Sequence, residues 1–406
     1  MITTPSHTSS RHLPRRASWL VAPIVALLGF AGTAPATAGA SPRHAVIVEA
    51  ASTRVARSAV AEVGGRVDSS LDLVEGVAAH VDDAGLNRLL NDRDVRVTPD
   101  VVLHATGADF SASSSAADLQ LSALSPGTSW SLDAGRGIGV ALIDTGVNAT
   151  PDLRGERLVR GPDLSGEGDG VDRFGHGTFM AGLIAGDGSA SSSGGARHVG
   201  AAPGATVVSV KVAGADGSTS LSKIITAIGW VIAHDDDLDI GVLNLSFGAD
   251  VNLPYVANPL SGAVEAAWAA GITVVTSSGN DGDGSVTSPG DDPWVVTVGA
   301  TDATRSASAA DATLATWSGR EHFSRYSKPD VVAPGVSVVS LRSPGSTIDS
   351  ANPNARIGDV YFRGSGTSMS TALVSGSAAV LLSHHPDATP DDVKGALVDG
   401  GVDIAG

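Results

Sequence analysis

The 406-residue sequence contains no cysteine. That single absence excludes disulfides, a thiolate nucleophile and cysteine-ligated zinc. Basic residues are also scarce. Lys and Arg total 26 against 43 Asp and Glu, a formal charge of −17. A surface that tracks phosphates needs the opposite balance, so no nucleic-acid partner is expected. Acidity of this kind serves solubility instead. Long apolar runs are missing as well. The run from Trp19 to Ala31 falls short of the ~20 residues that cross a bilayer. Two catalytic signatures are absent: His-Glu-x-x-His, which would indicate a zinc peptidase, and the Gly-x-Ser-x-Gly elbow of α/β-hydrolases. What remains is 42% hydrophobic and 17% charged, enough apolar material for a large core and too much for wholesale disorder.

The chain divides into four stretches. Residues 1–40 read as a secretory signal, with Arg11, Arg15 and Arg16 ahead of the short apolar run. Two small-x-small sites follow, Ala36-Thr37-Ala38 and Ala38-Gly39-Ala40, so a secreted, extracellular protein is expected. Residues 41–106 read as a small α/β unit. Its strands are His44–Glu49, two within Arg66–Val81, and Val95–Leu103; its helices are Thr53–Val63 and Ala84–Leu90. The order β-α-β-β-α-β is that of a ferredoxin-like domain. Residues 107–127 are rich in Ser and Ala and read as a linker. From 128 to 406 apolar runs alternate with helical patterns. The runs are Ile138–Ile143, Val207–Val212, Ile240–Leu245, Ile272–Thr276 and Val295–Val298, with helices over Leu221–Ala233 and Leu260–Ala270. Fully apolar strands separated by helices predict a doubly wound α/β domain with a mainly parallel sheet and helices on both faces.

Open parallel sheets place their sites at the carboxyl ends of strands. Asp144 ends the first apolar run and is followed by Thr145-Gly146. His176 sits in Gly175-His176-Gly177-Thr178. Ser368 sits in Gly366-Thr367-Ser368-Met369, ahead of a helical pattern from Thr371 to Leu382. Taken singly, these are a turn, a histidine beside glycines and a helix cap. Taken together, they are the parts of a hydroxyl activated by an imidazole that a carboxylate orients.

The three blocks, in the order Asp, His, Ser and spaced by about 30 and about 190 residues, resemble the signature blocks of the subtilisin family. Ser277-Ser278-Gly279-Asn280-Asp281 resembles the family's oxyanion segment, which implies that Asn280 donates to the developing oxyanion. Asn244-Leu245-Ser246-Phe247-Gly248 resembles the edge that pairs with substrate backbone. By the same resemblance, Ser277, Ser278 and Gly279 line the first substrate pocket, with Thr287 near its base. The small domain at 41–106 resembles the family's propeptide, an inhibitor of its own enzyme. The implied function is a secreted serine endopeptidase, monomeric, acting on protein or peptide substrates through an acyl-enzyme. A catalytically inactive subtilisin-like binding or scaffold protein is the alternative. An aspartic protease would need a second Asp-Thr-Gly or Asp-Ser-Gly, and none is present.

The chain departs from the family pattern at Phe179 and over Ser370-Thr371-Ala372-Leu373, where Ala-x-Pro-His is usual. Asp152 matches a calcium ligand of relatives, but Ser191–Val199 lacks the asparagine-containing calcium loop. No cofactor or metal ligand is assigned, and calcium stays open.

Overall fold

Asp144 terminates an interior strand of the largest sheet. The computed structural model describes residues 43–105, 131–191, 197–248, 255–303 and 309–404. The signal expected at 1–40 and the linker expected at 107–127 lie outside these residues.

The first four strands are β1 Arg43–Glu49, β2 Arg66–Leu71, β3 Gly76–Asp82 and β4 Arg96–Pro99. They form an antiparallel sheet in the order β2-β3-β1-β4. The helices are α1 Thr53–Glu62 and α2 Asp83–Leu90, capped by the side chains of Ser52 and Asp82. Alternate residues of a strand face opposite ways, and this sheet uses both faces. Val46, Val48, Val77, Ala79 and Val81 join Ala56, Val60 and Leu89 in a small core of their own. Ile47, Ala78, Leu71 and Val74 belong to the main core. The second face of the sheet is therefore buried only because the larger domain covers it.

The next strands are β5 Val102–Ala105, β6 Gly139–Asp144, β7 Leu158–Asp163, β8 Thr206–Lys211, β9 Ser218–Ser220 and β10 Ile240–Leu245. They are followed by β11 Phe247–Gly248, β12 Thr273–Ser277, β13 Val296–Asp302, β14 Thr313–Leu314, a hairpin of β15 Glu321–His322 with β16 Ser327–Lys328, and β17 Val331–Pro334. The central sheet runs β14-β13-β12-β10-β6-β8-β7, with β17 also on β13. All of its pairings are parallel except β13 with β14. Every residue of β6 is buried, as expected for a strand covered on both faces. After β8 the chain crosses over β6 to β10, so the strand order reverses there. The crevice at that reversal is where doubly wound sheets bind ligands.

The covering helices are α3 His176–Ala185, α4 Leu221–Ala233, α5 Pro259–Ala269, α6 Thr347–Ala351, α7 Thr367–His384 and α8 Pro390–Asp399. In α3 every residue is buried, the mark of a helix enclosed on all sides. Helix α7 is buried over its first ten residues and packs against α3. Helix α8 opens with a capping box of Thr389 and Asp392 and with Pro390 at its first position.

Two sequence expectations shift. The strand expected over Val95–Leu103 is two strands, β4 and β5, that leave Asp100 and Val101 between them. The helix expected from Thr371 begins at Thr367, so Ser368 lies inside its first turn. After the break at Asp100, β5 leaves the small sheet. It becomes the middle strand between β11 and β9, antiparallel to both.

Candidate active site

The carboxylate of Asp144 is 1% exposed at the end of β6. The Thr145 N–H donates to its Oδ1 at 2.7 Å. His176 opens α3 and is fully buried. Its Nδ1 stands 2.9 Å from both Asp144 oxygens. Two glycines permit this approach. Gly175 has φ +107°, a left-handed conformation that side chains resist. A Cβ on Gly177 would stand 2.1 Å from the Gly146 carbonyl oxygen and 3.0 Å from Asp144 Oδ1. Since Nδ1 donates to Asp144, Nε2 carries the lone pair. That Nε2 is buried and has no hydrogen-bond partner among the described residues. Burial pulls the imidazole pKa down, but the charge and hydrogen bond of Asp144, helped by Asp172, outweigh it. The net shift is upward from the ordinary histidine value.

Ser368 is the second residue of α7 and is fully buried. N–H groups in a helix's first turn have no intrahelical acceptor, and the dipole there favours negative charge. Asn280 lies beside this turn. Its Oδ1 accepts the N–H of Thr367 at 3.0 Å and the Thr367 hydroxyl at 3.0 Å. A backbone N–H needs an acceptor, so the oxygen faces Thr367 and the amide NH2 is turned the other way. Helix α7 is also tied to the carboxyl end of β10. Ser375 donates to Asn244 Oδ1 at 2.9 Å, and Asn244 Nδ2 donates to Ser246 Oγ at 3.2 Å. Ala372, where proline is usual in the resembled family, is fully buried, and Thr371 before it donates its hydroxyl to the Thr367 carbonyl at 2.8 Å.

Ser246 is buried immediately before β11, whose two residues Phe247 and Gly248 pair with Ala105 and His104. Ser277 ends β12, and Ser278 and Gly279 follow it. Thr287 folds over this segment: its N–H donates to the Ser278 carbonyl at 3.2 Å. A Cβ on Gly279, where φ is +94°, would meet Thr287 Oγ1 at 3.0 Å. All the residues singled out in the sequence thus sit on the carboxyl side of the sheet or in segments attached to it.

Two buried charges beside Asp144 escaped the sequence reading, Asp172 and Lys211, each 1% exposed. Lys211 ends β8 directly opposite Asp144. Its Nζ donates to the carbonyls of Thr145 at 2.8 Å and Val171 at 2.7 Å, and pairs with Glu167 at 3.0 Å. A lysine closing an otherwise apolar strand was the available signal.

The residues around Asp152 do not fit a calcium ion. Its Oδ2 accepts the Tyr361 hydroxyl at 2.5 Å, and its Oδ1 accepts the Ala190 N–H at 2.5 Å and the Ser189 hydroxyl at 3.3 Å. A bound calcium needs six to eight oxygens free to turn inward. No group of three or more acidic or histidine side chains converges for a metal among the described residues. The nearby positive charge is Arg157, which donates to the carbonyls of Asp152, Ala185 and Pro203 and to Asp187.

Residues 135–401 match the sequence profile of the subtilase family. The chain is 42% identical over 275 residues to serine protease AprX of Bacillus subtilis (strain 168), covering 66% of this chain and 61% of that protein. It therefore spans less than two thirds of AprX. Subtilisin E of Bacillus subtilis (strain 168) is 30% identical over 359 residues, 86% of this chain and 81% of that protein. Among solved structures, fervidolysin from Fervidobacterium pennivorans, a keratinolytic enzyme related to subtilisin, aligns with a TM-score of 0.70. It covers 91% of this chain and 59% of its own, at 24% identity, which speaks for the fold alone.

Proposed function

Since this chain belongs to the subtilase family, we propose that it is a secreted serine endopeptidase that is held inactive by its own N-terminal domain until it is cut. The observation that carries the catalytic reading is the placement of His176. One ring nitrogen is held by Asp144 at 2.9 Å, and the other is buried with no partner among the described residues. That is the arrangement of a general base with its tautomer set.

In this reading Ser368 Oγ attacks the scissile carbonyl carbon while its proton passes to His176 Nε2. The carbonyl oxygen becomes an oxyanion, stabilised by the Ser368 N–H and the Asn280 NH2. Collapse breaks the C–N bond, and the His176 proton leaves with the amine. Water then repeats the sequence against the acyl-enzyme and releases the acid. Asp144 stays ionised and holds the imidazolium. By the family resemblance, Ser277, Ser278, Gly279 and Thr287 line the first side-chain pocket in this reading. Fluorophosphonate labelling tests this: wild type is labelled and Ser368→Ala is not. Equal labelling of both would sink the assignment.

The zymogen reading is supported by β5. A peptide substrate adds as a strand to an exposed edge, and here the chain's own residues 102–105 take that position between β9 and β11. Leu103 is 1% exposed, so this strand is anchored rather than draped. The four-stranded sheet with its helices on one face is the expected shape for a propeptide domain at 41–106. The match to subtilisin E covers 86% of this chain, more than the family profile at 135–401 spans. The cut falls between Leu103 and Gly107. N-terminal sequencing should find secreted wild type beginning near Ala105–Ser111 and Ser368→Ala beginning near Gly39–Ser41. Identical N-termini would exclude cleavage by Ser368.

A further inference from the structure

Asp172 is 1% exposed and lies in the loop between β7 and α3, four residues before His176. Its two carboxylate oxygens receive four donors. Oδ1 accepts the Thr145 hydroxyl at 2.8 Å and the Gly175 N–H at 2.7 Å. Oδ2 accepts the Thr178 N–H at 2.8 Å and the Thr178 hydroxyl at 2.6 Å.

Donor counting settles the direction of both hydroxyl bonds. Thr145 Oγ1 already accepts the Gly177 N–H at 2.9 Å, so its single proton goes to Asp172. Thr178 Oγ1 accepts the Asn148 N–H at 3.1 Å, so its proton also goes to Asp172. The site is thus built to hold a carboxylate anion, with two donors on each oxygen. Burial raises the pKa of this group more than the donors from Thr178, Gly175 and Thr145 lower it, so the net shift is upward from the ordinary carboxylate value. The backbone of Asp172 is fixed too. Its N–H donates to Asn148 Oδ1 at 3.0 Å, and its carbonyl accepts Asn148 Nδ2 at 3.1 Å and the Ser343 hydroxyl at 2.8 Å.

The residues held are those that set the Asp144–His176 geometry. Thr145 donates its own N–H to Asp144. Gly175 and Gly177 flank His176, and Thr178 completes the first turn of α3. One anion therefore ties the loop that carries Asp144 to the helix that carries His176. Resting on the proposed triad, we propose that Asp172 is a positioning residue for Asp144 and His176, locking both through Thr145, Gly175 and Thr178.

The charged groups around this centre are few. Asp144 comes from β6 and His176 from α3. Lys211 of β8 reaches the Thr145 carbonyl from the opposite side. Glu167 pairs with Lys211 and Arg173, and Arg173 also pairs with Asp169. Removing the charge at 172 therefore removes a negative charge that favours the imidazolium.

The test uses the full-length secreted protein, with peptide hydrolysis measured against pH once activity is constant. Asp172→Asn keeps the shape but places an NH2 against donors. Its kcat should fall on the order of 10²-fold, the loss expected when reacting groups are slightly misplaced, with KM within about threefold. The acid inflection of kcat/KM should move to lower pH. Thr145→Val keeps the charge and removes only the bridging hydroxyl. It should lower kcat at least about tenfold and leave the inflection where wild type has it. Wild-type kcat in either variant overturns the proposal. So does a slower Asp172→Asn whose inflection has not moved, since that marks structural damage alone. If Asp172→Asn fails to fold, kcat of folded Thr145→Val decides by itself. Wild type that neither hydrolyses peptides nor labels at Ser368 sinks the protease reading and this inference with it, and is distinguishable from both variant results.

Discussion

Asp100, from the break between β4 and β5, accepts two hydrogen bonds from Ser222, the second residue of α4: its N–H at 2.9 Å and its hydroxyl at 2.7 Å. The N-cap residue of that helix, Ser220, makes no side-chain capping bond. A carboxylate 122 residues distant does the work instead, and the positive end of the helix favours its charge. Loss of such a cap costs about 1 kcal/mol, roughly fivefold in binding. Asp100→Ala should therefore shorten the lag before peptide hydrolysis appears after secretion. A lag equal to wild type would show that Asp100 does not help hold the N-terminal domain on.

Asn280 is oriented by Thr367, which occupies its carbonyl oxygen. Asn280→Leu should reduce turnover with little change in KM, because the lost donor acts mainly in the transition state. Removing the corresponding donor in subtilisin costs about 10²–10³ in kcat, and the same range is expected here. Steady-state kinetics on one peptide amide is sufficient. A raised KM at constant kcat would assign Asn280 to ground-state binding.

The pH dependence of activity follows from His176. In the proposed mechanism only neutral imidazole accepts the serine proton, so activity should rise with pH through the histidine pKa. Burial lowers that pKa, but Asp144 and Asp172 more than compensate. The acid limb of kcat/KM should therefore have its midpoint above the ordinary value of ~6.5. A midpoint at or below that value would mean that burial wins.

Lys328 is 3% exposed, with Nζ 3.0 Å from the Val295 carbonyl and 2.7 Å from Asp330 Oδ2. Burial lowers its pKa to about 8 against the pull of Asp330. Between about 8 and the ordinary 10.5 the unfolded chain holds this proton and the folded chain does not. Stability from this group thus increases with pH across that window and is lost as pH falls through 8. The melting-temperature difference between wild type and Lys328→Met should shift in favour of wild type from pH 8 to 10. A difference that stays constant would mean that the ammonium titrates normally.

Tyr361 and Asp152 form the last test. Tyr361→Phe leaves Asp152 Oδ2 without its donor at 2.5 Å. An orphaned buried acceptor costs about 1–3 kcal/mol, which lowers Tm by several degrees. EDTA should leave the Tm of wild type unchanged, because protein donors already use the Asp152 oxygens. A large EDTA effect would place a metal elsewhere in the chain.

By itself the sequence determined the elements whose signals are local. Helix Leu221–Ala233 and strand Ile240–Leu245 have the bounds expected from apolar spacing alone. The blocks around Asp144, His176, Asn280 and Ser368 could be singled out for the same local reason, because their glycines, turns and polar side chains occur within a few residues of one another. Short pieces such as β7, β17 and the β15–β16 hairpin carried too few periodic residues to be read. Tertiary structure alone decided which distant groups meet. Val95–Leu103 reads as one strand because its apolar residues run on, yet the chain breaks where Asp100 finds Ser222. Thr145, Asp172 and Lys211 look like a turn residue, a loop acid and a strand end. They become one buried charge network because β6 and β8 pair in register and α3 packs across their ends. Local propensity fixes backbone shape over a few residues, but the partner of a buried charge is chosen by the packing of the whole sheet.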